Sequence, residues 1–169
     1  MIQKNKIDEK IKKSAKKLHK IFLSKKLTLS FAESCTGGLL QEIVTSNSGA
    51  SQYFLGGVVS YSNQVKTNVL KVSDELISKF GAVSEETAQS MMKGLKKLFR
   101  ADVSVSITGI AGPEGGTKDK PVGTIFVTIG YKNFVKTYNY NFTGNRHDIR
   151  YKTALNVLLE LSNLVEHLT

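Results

Sequence analysis

The sequence has 169 residues, 40% of them hydrophobic and 22% charged, which is ordinary for a soluble globular protein that builds one hydrophobic core. Its single cysteine excludes an internal disulfide, its three histidines offer no spacing typical of a zinc site, and no apolar run approaches the ~20 residues that span a bilayer. The lysine-rich start lacks the apolar core of a secretory signal. We therefore expect one domain over residues 1–169, located in the cytoplasm and independent of any metal or other cofactor.

Much of the net charge of +10 lies at the start of the chain, where residues 1–26 hold ten lysines against Asp8 and Glu9. Hydrophobic residues recur there at helical spacing, which predicts an amphipathic helix over residues 5–24 whose lysines face solvent. A basic surface of this kind also suits nucleic acid or a membrane. Because no aromatic residue precedes Phe22 to stack on bases, we expect neither partner, and nucleic-acid binding by this helix stays an alternative.

Strands and helices alternate along the rest of the chain. Strands are predicted at residues 27–32, 54–61, 103–107, 122–129 and 134–142. Helices are predicted at residues 38–45, 63–70 and 73–80. Two further helices are predicted to begin after N-caps at Ser84 and Asn145. The buried face of the Ser84 helix comprises Ala88, Met91, Met92, Leu95 and Leu98, and that of the last helix Ala154, Val157, Leu158, Leu161, Val165 and Leu168.

This alternation predicts an α/β fold, specifically a three-layer α/β/α sandwich with a mixed, mostly parallel sheet. The last two strands form an antiparallel hairpin with a tight turn near Lys132 and Asn133. Three polar segments directly follow predicted strands, at residues 33–38, 61–66 and 108–116. Since ligands bind at the carboxyl ends of parallel strands, these segments predict one shared site.

Ser34 stands at a strand-to-helix turn, which can expose a hydroxyl and direct main-chain N–H groups at an oxyanion. A serine needs a base to become a nucleophile, and no histidine lies in the three segments. Lys66 is the remaining candidate, because burial would lower its pKa. The pattern leaves alternatives open: Ser34 as a helix N-cap, Lys66 as a solvated helix residue, and Cys35 as the nucleophile.

The glycine-rich loop at residues 108–116 is typical of a backbone nest that binds an anion such as phosphate. It lacks the spacing of a P-loop or a dinucleotide-binding fingerprint. Arg146, near the start of the last helix, can hold a phosphate with two parallel N–H groups. The alternatives are a long surface turn for the loop and a surface salt bridge for Arg146.

Taken together, these segments resemble the family of the CinA C-terminal domain. The stretches that carry the resemblance are AESCTGG at 32–38, YSNQVK at 61–66, FGAVSEETA at 80–88, SITGIAGPEGGTKDKPVGT at 106–124 and FTGNRHDIR at 142–150. The likeness extends over residues 8–168. It implies an α/β domain with nicotinamide-nucleotide amidase activity, which hydrolyses the carboxamide of nicotinamide mononucleotide to nicotinate mononucleotide and ammonia in pyridine nucleotide recycling.

The resemblance also implies residue roles. Ser34 is expected to be the nucleophile and Lys66 its general base, with Tyr61 and Thr108 completing the catalytic group. Substrate binding is expected at Thr36, Gly37, Gly38, Asn63, Gly109, Ala111, Gly112 and Arg146. The expected partner is a small nucleotide substrate, and the expected assembly is a homo-oligomer. A nucleotide-binding module without catalysis remains the alternative function.

Two features depart from the family pattern. Members often carry an additional N-terminal domain associated with nucleotide pyrophosphatase activity, and this sequence resembles the form without it. The last motif often reads Gly-Asp-Arg, whereas this chain has Gly144, Asn145 and Arg146. Asparagine can still cap the following helix, but no carboxylate is available there to orient the arginine.

Overall fold

The structure, a computed structural model, describes the backbone of residues 2–167 and the side chains of residues 6–167. Its six helices and five strands alternate as predicted. The helices are α1 (Ile2–Lys25), α2 (Leu39–Thr45), α3 (Asn63–Asn68), α4 (Asp74–Phe80), α5 (Glu85–Phe99) and α6 (Arg146–His167). The strands are β1 (Leu29–Glu33), β2 (Phe54–Val59), β3 (Val103–Gly109), β4 (Thr124–Tyr131) and β5 (Phe134–Asn141).

Helices α5 and α6 begin at the two capping residues that the sequence indicated, Ser84 and Asn145. The Ser84 hydroxyl accepts a hydrogen bond from the Thr87 N–H at 3.1 Å, and the Asn145 side-chain oxygen accepts one from the Asp148 N–H at 3.0 Å. Ser62 caps α3 in the same way by accepting from the Val65 N–H. These bonds satisfy main-chain donors that have no partner within the helix, so they fix where α3, α5 and α6 start.

The five strands form one mixed sheet in the order β2-β1-β3-β4-β5. β1 is parallel to both of its neighbours, β2 and β3. β4 runs antiparallel to β3, and the β4–β5 hairpin closes where Tyr131 pairs with Phe134, next to the predicted turn. The expected α/β sandwich with a mixed sheet is therefore confirmed, with its three parallel strands side by side.

The two faces of the sheet carry different side chains. Aliphatic and aromatic residues of β1, β3 and β4 pack in one cluster with α1, α2 and α6. On the opposite face, α5 lies over small and hydroxyl-bearing residues, and the Ser106 hydroxyl donates to the main-chain carbonyl of Ala88 in α5. Small side chains let this helix approach closely: a Cβ added to Gly130 would lie 2.4 Å from the Met92 sulfur.

Leu98 was predicted on the buried face of α5, and this prediction is wrong because its side chain is 52% exposed. Phe99 takes the inward position at this end of the helix. Its ring lies over Gly56 of β2, where an added Cβ would be 2.9 Å from a ring carbon. Leu168, predicted in the buried stripe of α6, lies outside the described residues. Within residues 2–167, every helix is too short or too polar to span a membrane.

Candidate active site

The carboxyl ends of the three parallel strands meet at one edge of the sheet, as expected. Ser34 directly follows β1, Tyr61 follows β2, and Thr108 is the second-last residue of β3. Between them opens a cavity of about 250 Å³. All four predicted catalytic residues line it, namely Ser34, Tyr61, Lys66 and Thr108. Five predicted substrate-binding residues line it too: Asn63, Gly109, Ala111, Gly112 and Arg146.

Ser34 and Lys66 are in direct contact inside this cavity. The Lys66 Nζ atom lies 3.2 Å from the Ser34 Oγ atom. Lys66 also donates to the main-chain carbonyls of Ser60, at 2.8 Å, and Tyr61, at 3.4 Å. These three oxygens surround an amine that is only 2% exposed, next to a serine that is 8% exposed. The alternative of a solvated lysine on a helix surface is therefore wrong.

Burial lowers the pKa of Lys66 below its ordinary value of 10.5, because a charged ammonium loses its hydration there. No carboxylate offsets this effect, since Lys66 is in none of the ion pairs between the described residues. The neutral carbonyls of Ser60 and Tyr61 accept hydrogen bonds from the amine, but they replace only part of the hydration that a charged ammonium would have in water. Lys66 is thus the kind of lysine that can hold and release a proton during a reaction.

Cys35 lies beside the pair but is poorly suited to be the nucleophile. The thiol is buried, and this burial raises its pKa to about 12. At neutral pH the sulfur therefore keeps its proton, whereas the thiolate is the reactive form of cysteine. The geometry favours Ser34 over Cys35 because the serine oxygen is the one within hydrogen-bond distance of the Lys66 amine.

Thr108 contributes to the wall of the cavity. Its hydroxyl donates to the main-chain carbonyl of Ala82 at 2.7 Å, which ties the end of β3 to the segment between α4 and α5. Ala82 and Val83 consequently line the cavity, although sequence reasoning did not include them in the site. With its proton committed to Ala82, the Thr108 oxygen is left as an acceptor toward the cavity.

Arg146 bridges two loops at the mouth of the cavity. Its guanidinium donates to the main-chain carbonyl of Gly112 at 2.7 Å and to the Tyr61 hydroxyl at 2.8 Å. Arg146 is in none of the ion pairs described for residues 6–167, so the salt-bridge alternative does not hold. A positive charge held by neutral partners keeps its attraction for an anionic group of a ligand.

Three predicted substrate-binding residues, Thr36, Gly37 and Gly38, lie outside the cavity lining. They shape the turn between β1 and α2. Gly37 and Gly38 adopt φ values of +62° and +92°, a backbone conformation that favours glycine. The Thr36 hydroxyl is buried and has no hydrogen-bond partner among the described residues, while its main-chain carbonyl accepts two N–H groups from Arg150.

Glu33, which sequence reasoning missed, anchors the other side of this turn. Its fully buried carboxylate accepts from the main-chain N–H groups of Gly38, Leu40 and Gln41 at 2.9–3.2 Å. The Glu33 carboxylate therefore accepts the main-chain N–H groups at the start of α2. The N-cap residue of this helix, Gly38, has no side chain that could do so. The signal in the sequence was a charged residue at the end of an otherwise uncharged strand, directly before Ser34.

We expect Glu33→Ala to lower the free energy of unfolding by about 3 kcal/mol, because charge-assisted bonds to three main-chain donors are lost. Urea unfolding followed by circular dichroism measures the change. The matched control is Glu42→Ala, which removes an exposed carboxylate from α2, the helix that Glu33 caps. It should change stability by less than about 0.5 kcal/mol. Equal effects of the two substitutions would contradict the capping role of Glu33.

Known proteins resemble this chain in sequence and in structure. The family model of the CinA C-terminal domain matches residues 11–165. A CinA-like protein of Thermotoga neapolitana is 48% identical over 161 residues, which are 95% of this chain and 38% of that protein. A CinA-like protein of Prochlorococcus marinus is 45% identical over 150 residues, 88% of this chain and 35% of that protein. The chain thus spans less than two fifths of the length of these relatives.

Solved structures share the whole fold. The competence/damage-inducible protein of Agrobacterium tumefaciens is 36% identical, with a TM-score of 0.89 over 92% of this chain and 95% of its own. A CinA superfamily protein of Klebsiella pneumoniae is 29% identical, with a TM-score of 0.89 over 93% of this chain and 98% of its own. The matched residues include Ser34, Lys66 and Arg146, and the chain belongs to the family of the CinA C-terminal domain.

Proposed function

We propose that this chain is an amidohydrolase that releases ammonia from the carboxamide of nicotinamide mononucleotide through an acyl-enzyme on Ser34. One observation carries the proposal: the buried Lys66 amine lies 3.2 Å from the Ser34 oxygen. A lysine whose pKa is lowered by burial can serve as the base for a serine nucleophile. The choice of substrate comes from the resemblance to the CinA C-terminal domain, and Arg146 gives its phosphate a partner.

The three neighbours of Lys66 suit a neutral amine. Carbonyl oxygens can only accept, so the two N–H groups of the amine point to Ser60 and Tyr61. The remaining direction is that of the lone pair, and there the Ser34 oxygen lies. In the neutral state Ser34 therefore donates its hydroxyl proton to Lys66, which is the arrangement that general-base catalysis requires.

The proposed reaction has two halves. Ser34 Oγ bonds to the carboxamide carbon, its proton passes to Lys66, and the carbonyl electron pair moves to the oxygen. The C–N bond then breaks, and the nitrogen leaves as ammonia with the proton from Lys66. In the second half, water attacks the acyl ester and gives a proton to Lys66. The carbon–Oγ bond breaks, Lys66 returns the proton to Ser34, and nicotinate mononucleotide leaves.

Ammonia release from nicotinamide mononucleotide, nicotinamide riboside and free nicotinamide tests the proposal. We expect the fastest release from the mononucleotide, because only that compound carries a phosphate for Arg146. Calorimetric titration with the same compounds provides a separate measure of binding. Saturable binding of the mononucleotide without any ammonia would refute the amidase and favour a nucleotide-binding module without catalysis.

Arg146→Met is expected to raise the KM for nicotinamide mononucleotide by about 10–100-fold, the effect of losing charge-assisted hydrogen bonds to an anion. The KM for nicotinamide riboside, which lacks the phosphate, should change much less. Steady-state kinetics with both substrates measures the difference. A similar rise in KM for both compounds would mean that Arg146 only holds Tyr61 and Gly112 in place.

A further inference from the structure

The turn that carries Ser34 is held together by main-chain hydrogen bonds. The Ser34 carbonyl accepts from the Gly37 N–H at 3.1 Å, and Gly37 has a φ of +62°. The N–H of Cys35, by contrast, donates to no other residue in the described part of the chain, and its one contact is with the sulfur of Cys35 itself. Because Cys35 directly follows the serine, this N–H occupies the position that commonly stabilises the oxyanion in serine acyl transfer.

Arg150 holds the same turn from α6. Its Nε and Nη2 atoms donate to the main-chain carbonyl of Thr36 at 3.0 and 2.7 Å. The guanidinium joins none of the ion pairs between described residues. Arginine commonly directs this paired set of donors at a carboxylate or a phosphate. Here both N–H groups donate to one neutral carbonyl, that of Thr36, which lies two residues after the proposed nucleophile.

These bonds connect Arg150 to the Cys35 N–H through two peptide groups. Arg150 donates to the Thr36 carbonyl, and that peptide group contains the Gly37 N–H. The Gly37 N–H donates to the Ser34 carbonyl, and that peptide group contains the Cys35 N–H. Hydrogen bonds in such a chain polarise one another, so a positive charge at one end strengthens the donor at the other.

We infer that Arg150 is a positioning residue that orients and polarises the Cys35 N–H as the oxyanion donor for Ser34. The inference rests on the proposed acyl transfer at Ser34. As Ser34 Oγ bonds to the carboxamide carbon, the carbonyl electron pair moves to the oxygen, and the Cys35 N–H stabilises that charge. Arg150 itself touches neither the substrate nor the reacting atoms.

Three variants test this inference. Arg150→Met keeps the length of the side chain but removes its charge and donors, and Arg150→Lys keeps the charge and a donor. Lys152→Met removes a positive charge from the same helix, and Lys152 contacts Thr143 rather than the turn. We expect kcat to fall about 10²-fold in Arg150→Met, to recover in part in Arg150→Lys, and to stay unchanged in Lys152→Met.

Separate measurement of kcat, KM and the pH profile distinguishes a positioning role of Arg150 from a general disruption of the active site. In Arg150→Met, the KM should stay within about threefold of the wild-type value. The pH at which kcat rises should also stay unchanged, because Lys66 sets it. A kcat within about threefold of wild type, or a shift of the pH profile together with the loss of kcat, would overturn the inference.

A fluorophosphonate probe tests the same donor without nicotinamide. Ser34 Oγ bonds to phosphorus, fluoride leaves, the serine proton passes to Lys66, and intact-protein mass spectrometry follows the labelling. Arg150→Met should label about 10²-fold more slowly than wild type, and equal rates would overturn the inference. A wild type that labels at Ser34 but releases no ammonia from nicotinamide mononucleotide would refute the proposed function alone. A wild type that does not label would refute both.

Discussion

Replacing Ser34 with alanine is expected to lower ammonia release from nicotinamide mononucleotide by at least about 10⁴-fold, as when a nucleophile is removed from other acyl-transferring sites. Alanine cannot form the acyl-enzyme, and the Lys66 amine loses the hydroxyl group that lies 3.2 Å away. The loop at 108–116 and Arg146 are unchanged by this substitution. Binding of the nucleotide, measured by calorimetry, should therefore remain detectable.

Ser78→Ala is the matched control for Ser34→Ala, because Ser78 is an exposed serine of α4 that does not line the cavity. It should keep wild-type turnover. Near wild-type ammonia release by the Ser34→Ala variant would show that the nucleophile is a different group. Loss of nucleotide binding together with turnover would show instead that the substitution disturbs the whole pocket.

Replacing Lys66 with methionine is expected to lower kcat by about 10³-fold or more, since general-base catalysis contributes about 10²–10⁴-fold and, among the described side chains, Lys66 has the amine that contacts Ser34. In the wild type, kcat should rise with pH as Lys66 loses its proton. The midpoint should lie below the ordinary pKa of lysine, because burial lowers the pKa of Lys66. A pH–rate profile for both proteins measures the effect, and a wild-type slope that persists in Lys66→Met would assign the titration to another group.

The same pKa shift makes a prediction about stability. Between the lowered pKa of Lys66 and the ordinary lysine pKa, the unfolded state binds more protons than the folded state, so the free energy of unfolding rises with pH. Methionine removes this contribution. We therefore expect the stability of the wild type to increase relative to Lys66→Met as the pH rises from neutral to alkaline values. Urea unfolding at a series of pH values measures the difference, and the opposite trend would contradict a lowered pKa.

Sequence reasoning could predict which residues of the candidate site lie together because strand ends can be predicted from the chain itself. Buried strands are short apolar runs, and the polar residues that follow them, such as Ser34 and Tyr61, must lie at one edge if the strands are parallel. It could also select Lys66 by elimination, since the three segments contain no histidine. The burial of Lys66 depends on its three-dimensional contacts with Ser34, Ser60 and Tyr61, which the spacing of residues does not determine.

The partners of the Ser34 turn were harder to predict because they depend on distant or unexpected contacts. Arg150 follows Thr36 by 114 positions, and only the packing of α6 beside α2 brings them together. Glu33 was overlooked because a buried carboxylate is unusual unless its oxygens are satisfied. Leu98 was placed on the wrong face because its spacing fits the apolar stripe, while the actual contact at that end depends on the missing side chain of Gly56.

The position of β1 and β2 in the sheet gives the proposed nucleophile, Ser34, and the proposed base, Lys66, unequal protection. β1 has a hydrogen-bonded neighbour on each side and every one of its residues is buried, whereas β2 is an outer strand with partly exposed residues. Outer segments can open without unfolding of the whole protein. The carbonyls of Ser60 and Tyr61, which hold the Lys66 amine, directly follow β2. Mild denaturant should therefore release Lys66 before Ser34, leaving a protein that is still largely folded but no longer releases ammonia.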